Sequence, residues 1–172
     1  GIQQGGSRRS AVWAGLRWSH PDVMEFIYMK DWAPEVRAMK ERDFNAPGTM
    51  DMTNISVILD KDFFDNYGDP DLPQHSLAHK VFDAVTKQMV STAEPGFSVD
   101  YENKRESLRN ACTELTSEDD SDICNIGSIN LANVATLPEF RELVDLGTAF
   151  LLAGTCYSDV PYEKVGEVRS KN

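Results

Sequence analysis

Asn110, Cys112 and Glu114 alternate with Ala111 and Thr113 inside the stretch Asn110 to Asn130, NACTELTSEDDSDICNIGSIN. In an extended segment alternate side chains share a side, so this spacing predicts an amide, a thiol and a carboxylate on one wall. Such a trio can hold a hydroxylated substrate, react with it through sulfur and take a proton from it. Cys124 follows twelve residues after Cys112, far enough for the chain to turn back and bring a second thiol close. The acidic run Glu118 to Asp122 between them reads as an exposed turn. The alternative stays open at this level, because a free cysteine also serves as a small buried hydrophobe.

The elements needed to position these residues follow from hydrophobic pattern. Ser10 to Trp18 (SAVWAGLRW) and Asn54 to Leu59 (NISVIL) read as buried strands, and Ile129 to Val134 as a third. Ser19-His20-Pro21-Asp22 opens a short helix that ends near Lys30, and a second short helix spans Pro34 to Arg42. Asp60-Lys61-Asp62 starts a helical turn carrying Phe63 and Phe64. Leu77, Val81, Val85 and Met89 recur every four residues, the mark of an amphipathic helix over about Ser76 to Ala93. Thr136 and Glu139 form a capping-box start, and Phe140, Leu143, Val144, Gly147, Phe150 and Leu151 form an apolar stripe to about Gly154. Strands alternating with helices indicate an α/β protein with largely parallel strands.

Two loops carry further candidates. Gly5-Gly6 precedes Arg8-Arg9, so backbone groups there can approach a ligand closely, although a Gly-Gly turn before a strand is also common. Asp43 to Thr53 (DFNAPGTMDMT) contains Phe44, Met50 and Met52, more apolar surface than a plain loop needs. It reads as a hydrophobic plug or as a ligand-sensing loop. His75 and His79 lie four apart, but no acid-and-histidine motif surrounds them and no metal site is expected. Cys156 has no polar companion at a chemical spacing and is expected to be structural.

Composition narrows the function classes. The 172 residues fit one domain, with 41% hydrophobic and 26% charged residues. The formal charge of −11 argues against a dedicated nucleic-acid binder. Residues 1–42 hold seven Lys/Arg against five Asp/Glu, and the remainder ten against twenty-three, so a polyanion would find the N-terminal quarter first. No apolar run has the length of a membrane span and no signal-peptide pattern appears in the first residues. Three cysteines without a framework pattern point to a reducing, cytoplasmic setting.

Five segments in one order carry a resemblance: GGSRRSAVWAGLRWSHPDVMEFI, DFNAPGTMDMTNISV, EPGFSVDYEN, NACTE and CNIGSINL. Together they resemble the catalytic large subunit of ribonucleotide reductase over essentially the whole chain. The resemblance implies part of a ten-stranded α/β barrel with a finger loop through its centre. It implies that Cys112 carries a thiyl radical, that Glu114 is the general base on the 3′-hydroxyl and that Asn110 holds the sugar. It implies that Cys124 is one of two reducing thiols and that Gly5 and Gly6 approach the substrate. Phe44, Asn45 and Met50 would then sit in an effector-reporting loop. The wording leans to the adenosylcobalamin-dependent class, with a metal-containing small subunit as the alternative radical source. Implied partners are a ribonucleotide, a deoxynucleotide or ATP effector, a thioredoxin-like reductant and a second copy in a homodimer. The family's second reducing cysteine and its phosphate-binding segment have no counterpart here. The chain is therefore expected to be a partial barrel domain, lacking N- and C-terminal parts and inactive alone. A catalytically incomplete piece that binds effector or assembles with companions is the competing reading. A thiol-handling protein built on Cys112 and Cys124 is the third, weakened by the lack of a Cys-x-x-Cys pair.

Overall fold

A computed structural model describes residues 3–4, 8–9, 12–101, 108–160 and 162–171. The chain divides into two units, Gly1–Thr116 and Ser117–Asn172.

The first unit begins with a short antiparallel pair, β1 (Gln3–Gln4) and β2 (Arg8–Arg9). Its centre is a three-stranded sheet of β3 (Val12–Arg17), β4 (Thr53–Asp60) and β5 (Gly96–Asp100), in that order. Both pairings are parallel, with Val12 opposite Thr53 and Ser56 opposite Gly96. Parallel neighbours require crossovers, and helices supply them. α1 (Val23–Tyr28) and α2 (Pro34–Arg42) lie between β3 and β4. α3 (Lys61–Gly68) and α4 (His75–Thr92) lie between β4 and β5.

The pattern of β4 explains its central place. Ile55, Val57 and Leu59 alternate and are all buried, and they meet Val23, Phe26 and Ile27 of α1, Phe63 of α3 and Val81 and Val85 of α4 in one core. Each such side chain, fully buried, contributes about 1.5–3 kcal/mol. Trp18 closes the core at the end of β3, its ring edge-on to Phe63 with centroids 5.5 Å apart. The parallel α/β reading and the expected helices are thus observed. β5 is an addition to the strands expected from hydrophobic pattern.

The hairpin pair β6 (Leu108–Arg109) and β7 (Thr116–Ser117) frames the residues of chemical interest. In the second unit the expected strand Ile129–Val134 is absent. A 3-10 turn, Leu131–Asn133, occupies its place, because the Asn130 side chain accepts from the Ala132 N–H at 3.1 Å and closes the backbone locally. α5 (Leu137–Tyr157) starts as expected: Thr136 accepts from the Glu139 N–H and the Glu139 carboxylate accepts from the Ala135 N–H. Its apolar stripe is not buried: Val144 and Phe150 are exposed, and Phe140, Leu143 and Leu151 are half-buried. With residues 126–133 it forms an apolar groove of about 950 Å³. α6 (Glu163–Lys171) pairs with the acidic run through Lys164–Asp120 and Lys171–Asp119. No closed barrel is formed by the described residues, and none of their helices is long and apolar enough to cross a membrane.

Candidate functional site

The Asn110–Glu114 segment is a tight turn and not the extended wall expected from its alternation. The Asn110 N–H donates to the Leu115 carbonyl at 3.3 Å, and the Thr113 N–H donates to the Asn110 carbonyl at 3.0 Å. The Asn110 side-chain oxygen accepts from the Leu115 N–H at 3.1 Å. Thr113 adopts φ 73°, the left-handed conformation that lets so short a chain reverse. The reason is local: an Asn side chain competes for backbone donors and offers the chain a turn in place of a strand. Asn110, Cys112 and Glu114 therefore share one turn, with Cys112 and Glu114 exposed and Asn110 half-buried at its base.

Two side chains tie this turn to the three-stranded sheet. Asn54, on β4, donates to the Ala111 carbonyl at 2.6 Å. Arg109, the residue before the turn, donates from Nε to the Ser98 hydroxyl at 2.6 Å and from Nη2 to the Val99 carbonyl at 2.9 Å, both on β5. Sequence reading singled out neither residue for this role. The spacing between β4 and the turn is too long for any local pattern to connect them.

Cys124 belongs to the second unit, where it is exposed in an irregular run before the 3-10 turn. Its neighbour Asn125 donates to the Leu151 carbonyl at 3.3 Å and to the Thr155 hydroxyl at 2.5 Å, tying this run to α5. Cys156 is exposed on α5, so its expected structural role is not one of burial. Gly5 and Gly6 lie outside the described residues.

The Asp43–Thr53 loop holds Phe44, Asn45 and Met50 in different settings. Phe44 is 70% exposed, while Met50, at φ 54°, packs against the core. Asn45 closes a turn with its N–H on the Asp43 carboxylate at 2.8 Å. The loop is cradled by Lys40, which donates to the Phe44 carbonyl at 3.2 Å and pairs with Asp51. Trp32 donates to the Thr49 carbonyl at 2.9 Å, and a Cβ on Gly48 would come 3.1 Å from its indole ring. Met50 thus acts as the plug, and Phe44 is the residue presented outward.

The histidines are engaged locally. His75 Nδ1 lies 2.8 Å from the Asn66 carbonyl and His79 Nε2 lies 3.0 Å from the Tyr67 carbonyl, so each ring donates to the end of α3. His20 Nδ1 accepts from the Asp22 N–H at 3.1 Å. No group of three or more His, Cys, Asp or Glu suited to a metal ion occurs among the described residues.

With this geometry in place, comparison with known proteins is decisive. The family model described as "Ribonucleotide reductase, barrel domain" matches residues 65–172, more than half of the chain. The chain belongs to the ribonucleotide reductase barrel-domain family. A Thermoplasma acidophilum protein named vitamin B12-dependent ribonucleoside-diphosphate reductase is 29% identical over 192 residues, covering 97% of this chain and 23% of that protein. A Mycobacterium phage D29 protein, named as an adenosylcobalamin-dependent ribonucleoside-triphosphate reductase, is 32% identical over 185 residues, covering 99% of this chain and 24% of that protein. The reductase barrel segment described here therefore spans about a quarter of the length of these curated relatives. No solved structure matches the chain.

Proposed function

We propose that this chain is part of a reductase that converts ribonucleotides to deoxyribonucleotides for DNA synthesis by thiyl-radical chemistry. The carrying observation is the Asn110–Leu115 turn, which presents Cys112 and Glu114 together at an exposed tip in a chain of this family. Within the complete subunit the described sheet becomes part of a ten-stranded α/β barrel, and the turn becomes the tip of its finger loop.

The Cys112 sulfur radical takes the hydrogen atom from C3′ of the ribose, leaving a thiol and a carbon radical. Glu114 takes the 3′-hydroxyl proton, which helps the 2′-hydroxyl leave as water. Asn110 hydrogen-bonds the sugar and keeps C3′ in line with the sulfur. Two thiols supply two protons and two electrons: one proton leaves with the 2′-hydroxyl as water, and the other forms the new C2′–H bond together with the electrons. The thiols end as a disulfide while Glu114 returns its proton to the 3′-oxygen; Cys124 is one of the two thiols. Cys112 then returns its hydrogen to C3′ and regains the radical. The second reducing thiol is assigned to another segment of the subunit, and a thioredoxin-like protein resets the pair.

Formation of the sulfur radical is assigned to adenosylcobalamin, in keeping with the names of the two relatives, with a metal-containing small subunit as the alternative. Among the described residues each imidazole is held by a local backbone contact and no group suited to ligate a metal ion is formed. Gly5 and Gly6 approach the substrate, a ribonucleoside di- or triphosphate. Phe44, Asn45 and Met50 belong to a loop that reports a bound deoxynucleotide or ATP effector. The complete protein acts in the cytoplasm, as a homodimer, and the isolated chain does not turn over.

The test is Cys112→Ser in the complete subunit, with deoxynucleotide formation and effector binding both measured. Turnover should vanish while effector binding persists. Residual turnover near that of the unaltered subunit would remove the thiyl assignment.

A further inference from the structure

Two elements far apart in sequence converge on the Cys112 turn. Asn54 lies at the start of β4 and its side-chain amide reaches the carbonyl of Ala111, the residue directly before the cysteine, at 2.6 Å. Arg109 lies directly before Asn110 and grips β5 through the Ser98 hydroxyl and the Val99 carbonyl. Ser98 is buried in the strand, so the guanidinium is bound to a fixed point. Its third nitrogen, Nη1, is buried with no acceptor among the described residues. Leaving a cationic donor unmatched is unfavourable, so the other contacts are what hold the side chain there. The internal bonds of the turn join Asn110 to Thr113 and Leu115, whereas the Asn54 and Arg109 bonds tie it to the strands.

We propose that Asn54 and Arg109 are positioning residues for Cys112, fixing the thiol-bearing turn to β4 and β5 from two directions. Neither touches the reacting atoms. Asn54 sets the orientation of the Ala111–Cys112 peptide, and Arg109 sets the point at which the turn leaves the sheet. Asn54 also follows directly on the Asp43–Thr53 loop, so a shift of that loop's C-terminal end is passed to the cysteine through one hydrogen bond. The proposal rests on the thiyl reading of Cys112 and adds to it how the sulfur is aimed.

The experiment compares Asn54→Ala, Arg109→Lys and Cys112→Ser in the complete subunit, with kcat and KM measured for one ribonucleotide. Asn54 is exposed, so its truncation leaves the core intact, and melting curves check this. Arg109→Lys keeps the charge and one donor, so it should be milder than Arg109→Met, which loses both. Asn54→Ala should lower kcat by about tenfold or more with KM within about twofold, the signature of misaligned reacting atoms. Asn54→Ala and Arg109→Met in the 172-residue chain, with Cys124→Ser and Cys156→Ser, should each let a nitroxide attached at Cys112 move more freely. Unchanged kcat in both Asn54→Ala and Arg109→Met, with an unchanged nitroxide spectrum, would overturn the positioning role. An active Cys112→Ser would instead overturn the thiyl reading, and the nitroxide result would still decide whether the two residues hold the turn.

Discussion

Asp60, at the end of β4, accepts the Trp18 indole N–H at 2.9 Å on one carboxylate oxygen and the Arg17 guanidinium at 2.6 Å on the other. The first oxygen also accepts the Phe63 N–H at 3.0 Å, capping α3. One buried carboxylate thus joins the ends of β3 and β4 to the start of a helix.

Asp60→Ala should lower the unfolding free energy by about 2–3 kcal/mol, because it leaves a buried indole N–H and a helix N–H unmatched. Asp60→Asn keeps an acceptor oxygen and should lose less. Chemical denaturation of the two variants checks this, and equal losses would refute the shared-carboxylate account.

Gly15→Ala tests the packing of β3. A Cβ there would lie 2.4 Å from Trp13 Cη2 and 2.9 Å from Ile58 Cδ1, while the Trp13 indole donates to Ser56 at 3.1 Å. The indole must move and lose that bond, with an expected loss of about 1–3 kcal/mol. A melting temperature equal to that of the unaltered chain would count against it.

Thr113 is β-branched and sits at φ 73°, a conformation with a strain of about 1 kcal/mol or more. Thr113→Asn should raise stability by about 0.5–1 kcal/mol, since Asn tolerates this region. A fall in the melting temperature would show that the threonine side chain contributes contacts that outweigh the strain.

Lys40→Met keeps the apolar stem over Trp32 and Phe44 but removes the bonds to Phe44 and Asp51. The Asp43–Thr53 loop should then open more often, with cleavage by a nonspecific protease faster by about fivefold or more, since one such bond is worth about 1 kcal/mol. Cleavage at an unchanged rate would place the loop's order elsewhere.

The Lys171–Asp119 hydrogen bond raises the lysine pKa above 10.5, with the charge of Asp119 acting in the same direction. A raised value means the pair's contribution is complete below about 10.5 and is lost as pH climbs through the raised value. The pair is solvent-exposed, so its effect is small and sensitive to salt. Helix content of α6 should show no step from Lys171 at neutral pH and should decline only in strong alkali. A lysine-dependent step near neutrality, absent in Lys171→Ala, would contradict this.

Much of the fold was legible because its signals are local. The four-residue recurrence of Leu77, Val81, Val85 and Met89 can only be satisfied by a helix with one buried face, and α4 is that helix. The strand at Asn54–Leu59 is dominated by Ile55, Val57, Ile58 and Leu59, which suits a strand covered by helices. Ile129–Val134 misled for an equally local reason: its apolar residues suggested a strand, but Asn130 offers its own backbone an alternative.

The residue types, their order and the family they point to were set by the sequence by itself: an amide, a thiol and a carboxylate two apart, and five segments in one order. Those are covalent facts, independent of how the chain folds. The shape in which the trio is presented was decided only by tertiary structure. Alternation alone favoured an extended wall, whereas the bonds from Asn110 to Thr113 and Leu115 make a turn. Its anchoring was likewise hidden, because the Asn54 and Ala111 positions are 57 residues apart and meet only once β4 and β5 are paired. A hydrogen bond depends on distances of a few tenths of an ångström, and no one-dimensional pattern specifies those across so long a separation.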